Sequence, residues 1–150
     1  IRDVETGHKA LTTTGGSTWD AARRLCGFLE AEWPSLRMPK APRVLELGAG
    51  TGWLGMTLAR NVAPEGPEAS ICLTEQAQGG AMEWLDENLE RNLQSGAPLK
   101  AICTAPLDWS CWEEGRGTLP SGRVICDGRL DAQRLDLIIG SDLVYDEVGS

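Results

Sequence analysis

Three glycines alternate with small residues over positions 48–52, in the order Gly48, Ala49, Gly50, Thr51 and Gly52. Residues 43–47 before them, which include Val44, Leu45 and Leu47, predict a short strand, and the residues after them have the apolar spacing of a helix. Glycines between a strand and a helix let the backbone approach a ligand and direct N–H groups of the helix N-terminus toward it. In open α/β sheets ligands bind at this position, so residues 48–52, here named the glycine turn, predict a ligand site.

Two acidic residues narrow the class of ligand. Gly50, Gly52 and Gly55 match the G-x-G-x-x-G pattern of dinucleotide sites, so NAD is one candidate. Glu46 stands two residues before the turn, where we expect its carboxylate near the cleft floor and repulsive to a pyrophosphate. S-Adenosylmethionine carries a sulfonium and an ammonium but no phosphate, so an acidic neighbour favours it. Glu75 closes the next predicted strand and is placed to accept hydrogen bonds from the ribose hydroxyls of either cofactor.

The elements that position these residues alternate along the chain. Apolar runs predict four strands, at residues 43–47, 69–73, 99–103 and 135–140. Helical spacing predicts three helices, which begin near Ser17 or Thr18, near Leu54 and at Ala81. This alternation predicts an α/β fold with parallel strands, and we expect residues 1–150 to form one domain with 113–131 as a surface insertion. The strand at 135–140 is apolar on both faces, as a central parallel strand should be.

The charge balance limits the partners of the chain. Fourteen Lys and Arg against 22 Asp and Glu give a net charge of −8 over 150 residues. A negative surface repels a phosphate backbone, so we expect no nucleic acid partner, and it suits a basic protein or peptide. No apolar stretch reaches the length of a membrane span, so we expect no membrane partner. We also expect the protein to be monomeric.

The five cysteines stand at 26, 72, 103, 111 and 126, without a C-x-x-C pair. The number of cysteines is odd, and most of them stand next to apolar residues. Both features predict buried thiols in a reducing compartment and argue against a disulfide framework or a metal site. The first residues lack the apolar core of a signal peptide. These features predict a cytoplasmic or, alternatively, a nuclear protein.

Four segments resemble one known family. Residues 44–52 resemble the first motif of seven-β-strand S-adenosylmethionine-dependent methyltransferases. Residues 16–22, 107–109 and 141–145 resemble the pre-motif, the L-x-W segment and the D-x-x-Y signature of methyltransferase family 16, the branch of protein lysine methyltransferases. The four motifs occur in the family's order.

The sequence departs from the family pattern at three places. Glu75 stands where the family usually has Asp, and Ser141 stands where it often has Ala. The family seldom has an insertion as long as residues 113–131. This insertion leaves the segment before the last predicted strand without an assignment.

The resemblance implies a Rossmann-like, doubly wound sheet of the class I methyltransferase type, truncated here at its C-terminus. Without the further strands of that fold, the strand at 135–140 would expose an edge and an apolar face. The implied cofactor is S-adenosylmethionine. In the family, the tryptophan of the pre-motif contacts the cofactor, and the tryptophan of the L-x-W segment packs near its adenine. The candidate cofactor-binding residues are Trp19, Glu46, Gly48, Ala49, Gly50, Gly52, Glu75, Asp108, Trp109 and Ser141.

The D-x-x-Y signature supplies the candidate catalytic residues, Asp142 and Tyr145. Methyl transfer to an amine needs a positioned and deprotonated nitrogen and requires no metal. We assign Asp142 to orient the amine by hydrogen bonding, and the ring of Tyr145 to form a wall that makes a cation–π contact with the incoming ammonium. The structural alternative is that Asp142 caps a helix and Tyr145 belongs to the core.

The implied function is methylation of a protein side chain, most simply the amine of a lysine. Histidine, arginine or a small molecule stay open as acceptors. One alternative enzyme is an NAD-dependent oxidoreductase, which Glu46 and the lack of a catalytic His or a Tyr-x-x-x-Lys pair argue against. The other alternative is a non-catalytic, partner-binding module that keeps the methyltransferase fold.

Overall fold

Within the described residues, four parallel strands form the sheet that carries the candidate site. The computed structural model describes residues 17–61, 70–99, 101–107 and 135–143. The elements in chain order are α1 (Asp20–Glu32), β1 (Arg43–Leu47), α2 (Trp53–Asn61), β2 (Ser70–Glu75), α3 (Ala81–Gln94), β3 (Ile102–Pro106) and β4 (Leu137–Gly140). The strand order is β3-β2-β1-β4 with parallel pairing throughout, which confirms the predicted α/β, Rossmann-like fold.

The direction of strand addition reverses at β1. The chain proceeds from β1 to β2 and β3 on one side, and β4 then pairs with the other side of β1. Leu47 at the end of β1 is in register with Gly140 at the end of β4. In open α/β sheets a ligand crevice lies at the carboxyl ends of the strands where the order reverses. The turn after β1 and the segment after β4 therefore flank such a crevice.

Alternate strand residues pack against the three helices. Val44, Ile71 and Leu73 lie on this face and are at most 1% exposed. The helices contribute buried residues at spacings of three and four, among them Ala22, Cys26, Leu29, Leu54, Leu58, Leu85 and Leu89. This spacing is the amphipathic period by which the helices were predicted. In the described part of the chain, none of these helices is long and apolar enough to cross a membrane.

The third strand begins later than predicted. The sequence predicts a strand at 99–103, whereas β3 covers Ile102–Pro106. Ala101 has a φ of 56°, which interrupts the extended backbone before Ile102 pairs with Ile71. Leu99 is buried because it packs into the helix-side core and not because it belongs to the strand.

The last described strand, β4, is buried on one face only. Ile139 is 6% exposed, but Ile138 on the opposite face is 55% exposed. Among the described strands, β4 pairs only with β1. Among the described strands β4 therefore lies at the edge of the sheet, although its sequence is that of a central strand.

The cysteines are not all free thiols. Cys26 and Cys72 are free and buried, and burial is the main cause that raises the pKa of Cys26 to about 11 and of Cys72 to about 12. Cys103 is buried and disulfide-bonded. The prediction of buried, unpaired thiols is therefore wrong at Cys103.

Candidate functional site

The glycine turn follows β1 directly and lies at the point where the strand order reverses. Gly48, Gly50 and Gly52 have φ angles of 57°, 54° and 78°, in the left-handed region that residues with a side chain rarely adopt. The N–H of Ala49 donates to the carbonyl of Thr74 at 2.9 Å and ties the start of the turn to β2. The alternation of glycines in the sequence is thus required by the backbone conformation of the turn.

Glu75 ends β2 with its carboxylate against the glycine turn. Its Oε2 accepts a hydrogen bond from the N–H of Gly50 at 2.9 Å, and its Oε1 accepts one from the N–H of Gln76 at 2.9 Å. The structure therefore brings together the turn and the acidic residue that the spacing had predicted. Each carboxylate oxygen can accept a further hydrogen bond, so Glu75 can also receive hydroxyl donors of a ligand.

Glu46 lies below the turn, between β1 and α2. The residue is 2% exposed, and its Oε2 has no hydrogen-bond partner in the described part of the chain. Burial is the main reason why its pKa rises from the ordinary 4.5 to about 8; the Gly55 backbone opposes this shift and the Glu75 carboxylate adds to it. At neutral pH Glu46 is therefore mostly protonated. The sequence suggested that a charged Glu46 would repel a pyrophosphate. This expectation is corrected, because protonated Glu46 carries no charge and the carboxylate that touches the turn is Glu75.

The raised pKa of Glu46 predicts a pH dependence of stability. Between pH 4.5 and 8 the unfolded chain has lost this proton while the folded chain still holds it. The free energy of unfolding should therefore fall as pH rises through this window, by up to about 1.4 kcal/mol per pH unit. Glu46→Gln keeps a neutral side chain of similar shape and should remove this slope.

Denaturant unfolding at several pH values between 5 and 8 measures the effect. We expect Glu46→Gln to gain stability relative to the parent protein as pH rises. Glu90→Gln, which changes an exposed carboxylate on α3, is the matched control. Equal slopes for the parent and Glu46→Gln would contradict a buried, protonated Glu46.

The segment before α1 is attached to the glycine turn. The hydroxyls of Thr18 and Thr51 share a hydrogen bond of 2.8 Å, in which either can be the donor. Trp19, the next residue, is the N-cap of α1 and is 51% exposed. The helix was predicted to begin near Ser17 or Thr18, and its N-cap is Trp19, whose side chain makes no cap hydrogen bond. The hydroxyl of Thr18 bonds to Thr51 instead.

Ser141 and Asp142 leave the sheet beside the glycine turn. They follow Gly140, which is in register with Leu47, so the two segments start from adjacent strand ends. Asp142 is exposed and has a φ of 54°, a conformation that is uncommon for residues other than glycine and that Asp adopts more readily than most. Such a conformation is imposed by the surrounding fold and often occurs at functional sites.

Three predicted site residues fall outside the described residues. These are Asp108, Trp109 and Tyr145. Their proposed contacts stay predictions, as does the alternative in which Asp142 caps a helix.

Comparison with known proteins identifies the family. A family model described as lysine methyltransferase matches residues 3–149. The chain belongs to the lysine methyltransferase family. This finding confirms the resemblance carried by the four sequence motifs.

Curated proteins that are similar to this lysine methyltransferase family member are themselves named as lysine methyltransferases. It is 35% identical over 127 residues to protein N-lysine methyltransferase METTL21A of Danio rerio, covering 85% of the chain and 46% of the relative. It is 30% identical over 138 residues to protein-lysine N-methyltransferase EFM3 of Chaetomium thermophilum, covering 91% and 35%. It is 29% identical over 127 residues to EEF1A lysine methyltransferase 3 of Mus musculus, covering 85% and 42%. The chain thus spans less than half the length of these relatives.

One residue at the site of this family member was not predicted from the sequence. Asn88 of α3 is 1% exposed, and its Nδ2 donates to the carbonyl of Thr51 at 3.2 Å. The signal that could have found it is its position on the apolar face of the helix, between Leu85 and Leu89. A polar side chain on a buried stripe needs a hydrogen-bond partner, and here the glycine turn provides it.

Proposed function

We propose that the protein transfers a methyl group from S-adenosylmethionine to the side-chain amine of a protein lysine. The observation that carries this proposal is the contact between the glycine turn and Glu75, at the strand-order reversal of a lysine methyltransferase family member. The names of the relatives, protein N-lysine methyltransferase METTL21A and protein-lysine N-methyltransferase EFM3, support the choice of a protein lysine as acceptor.

The groups around the glycine turn suit S-adenosylmethionine better than NAD. Because the N–H of Gly50 donates to Glu75, a pyrophosphate at this point would meet a carboxylate instead of a free N–H group. A sulfonium and an ammonium are attracted by the same carboxylate. When bound, S-adenosylmethionine supplies a methyl group that is activated by the positive charge of its sulfur.

The residues proposed to hold the cofactor surround the crevice. Glu75 would accept hydrogen bonds from ribose hydroxyls, and the backbone of Gly48, Ala49, Gly50 and Gly52 would line the ligand. Glu46 would support the turn from below. We propose the remaining contacts on the family resemblance, with Trp19, Asp108, Trp109 and Ser141 as the residues concerned.

The residues after β4 are proposed to serve the acceptor. A lysine amine has an ordinary pKa of about 10.4, so it must lose a proton before its lone pair can attack. Asp142 would accept a hydrogen bond from the nitrogen and orient it, and Tyr145 would confine it. Desolvation of the amine in the crevice and a nearby positive charge both favour the neutral form that reacts.

The substrate is proposed to be a protein with a basic segment around the target lysine. The net charge of −8 favours the approach of such a segment. Incubation of cell lysate with labelled S-adenosylmethionine, followed by mass spectrometry of the labelled protein, identifies the modified residue. A label on histidine, arginine or a small molecule would replace lysine as the acceptor.

Calorimetric titration of the full-length protein tests the cofactor. We expect binding of S-adenosylmethionine and no binding of NAD. Gly50→Val should weaken the affinity at least about tenfold, because a β-branched residue at a φ of 54° is strained and distorts the turn.

Gly27→Val is the matched control for this substitution. Gly27 lies on α1, and a Cβ there would meet nothing within 4 Å. We expect this variant to bind like the parent protein. Binding of NAD alone would support an oxidoreductase, and cofactor binding without transfer to any acceptor would support a partner-binding module.

A further inference from the structure

Asn88 is a polar residue in the hydrophobic core under the glycine turn. It is 1% exposed and lies on α3 between Leu85 and Leu89, both at most 4% exposed. Its Nδ2 donates to the carbonyl of Thr51 at 3.2 Å. Its Oδ1 has no hydrogen-bond partner among the residues that the structure describes.

Packing alone does not explain an amide at this position. A buried amide oxygen without a partner is destabilising, whereas a leucine, which has the same branching and no polar atoms, would not carry that cost. The contact that leucine could not make is the hydrogen bond to Thr51. The presence of asparagine therefore points to a requirement of the turn.

Thr51 is held from two further elements at once. Its carbonyl accepts the hydrogen bond from Asn88 on α3, and its hydroxyl shares the hydrogen bond with Thr18 before α1. Thr51 itself is 3% exposed. The first half of the turn is attached differently, through the N–H groups of Ala49 and Gly50, which donate to β2.

The conformational freedom of the turn makes these attachments necessary. Glycine adopts left-handed and right-handed backbone conformations about equally well, so Gly50 and Gly52 do not fix the turn by themselves. Thr51 stands between them. Holding its carbonyl and its hydroxyl limits the conformations of both glycines.

We propose that Asn88 and Thr18 are positioning residues that fix the second half of the glycine turn in the shape that binds the cofactor. Asn88 acts through the carbonyl of Thr51 and Thr18 through its hydroxyl. The link to Thr18 also sets the position of Trp19, the next residue. The part that concerns cofactor binding rests on the proposed function.

The pair Asn88→Leu and Asn92→Leu tests the role of Asn88. Asn92 is one turn further along α3 and 2% exposed, and its Nδ2 donates to the backbone carbonyl of Asn88 at 2.9 Å. Both variants therefore replace a buried asparagine on the same helix, and the described hydrogen bond to the turn is that of Asn88. In the full-length protein we expect Asn88→Leu to bind S-adenosylmethionine about fivefold more weakly, as expected for loss of one hydrogen bond, and Asn92→Leu to bind it like the parent.

Hydrogen exchange without any ligand gives a second readout that does not depend on the proposed function. The peptide that contains residues 48–52 should exchange faster in Asn88→Leu than in the parent or in Asn92→Leu. Unchanged exchange in Asn88→Leu, or equal acceleration by both variants, would overturn the positioning role. If exchange differs as expected but the parent binds no S-adenosylmethionine, the proposed function fails and the positioning of the turn stands.

The role of Thr18 is tested by removing one hydroxyl at a time. Thr18→Val and Thr51→Val keep the shape of the side chains and delete either partner of the shared hydrogen bond. We expect both to weaken cofactor binding by a similar factor, and the double variant to be no weaker than either single one. Ser17→Ala, at the exposed neighbouring residue, is the control. Independent, additive effects of Thr18→Val and Thr51→Val would contradict the coupling.

Discussion

Asp142→Ala is expected to lower the rate of lysine methylation about a hundredfold, while the affinity for S-adenosylmethionine changes less than about twofold. The reason is the position of Asp142 after β4, beside the glycine turn but not part of it. A side chain that orients the amine acts on the reacting geometry and leaves the contacts of the cofactor in place. Steady-state kinetics with the protein substrate found by the labelling experiment measure the methylation rate. Calorimetric titration measures the affinity for the cofactor separately.

The backbone of Asp142 requires a second variant. At a φ of 54°, alanine is strained by about 1 kcal/mol, so Asp142→Ala changes both the carboxylate and the local conformation. Asp142→Gly removes the carboxylate and relieves the strain. If the carboxylate orients the amine, both variants lose activity to a similar extent. An active Asp142→Gly would show that the left-handed backbone matters and that the carboxylate has no catalytic role.

The strand and turn around the candidate site could be predicted because their signals are local. The apolar run before Gly48 and the alternating glycines describe one strand end and one turn, and neither depends on distant residues. Glu75 could be predicted as well, because it closes the next strand and parallel neighbours end at the same edge of a sheet. Predicting these features required only the order of the residues and the geometry of a parallel sheet.

The state of Glu46 could not be predicted, because it depends on packing between elements. The sequence places its carboxylate near the turn, but only the structure shows that α2 covers it and that its pKa is raised to about 8. The start of β3 was missed for a similar reason, since Leu99 is buried by tertiary contacts without being in a strand.

The hydrogen bonds of Thr51 to Thr18 and Asn88 also could not be predicted from the sequence. Thr18 before a helix is typical of a helix cap, and Asn88 on an amphipathic helix looks like a misplaced polar residue. Their shared partner lies 33 residues from Thr18 and 37 residues from Asn88 along the chain. No local pattern connects residues at such separations, so these roles follow from the three-dimensional contacts alone.

Gly55→Ala is expected to destabilise the fold by about 2–3 kcal/mol, although alanine is the better helix former. Gly55 is the third glycine of the G-x-G-x-x-G pattern and lies in α2 where the helix meets the sheet. A Cβ at this position would overlap the side chains of Leu73 and Glu46. Leu73 is 0% and Glu46 2% exposed, so neither side chain has free space into which to move.

Gly27→Ala is the matched control, because it makes the same change at a helical glycine where a Cβ would meet nothing within 4 Å. This control should gain about 0.5–1 kcal/mol from helix propensity alone. The two variants should therefore move the midpoint of denaturant unfolding in opposite directions. The double variant Gly55→Ala, Leu73→Ala should lose less than the sum of its single changes, because the smaller residue 73 makes room for the new methyl group. A Gly55→Ala variant as stable as Gly27→Ala would show that α2 can move away from the sheet, and the close helix–strand contact would then not explain the third glycine.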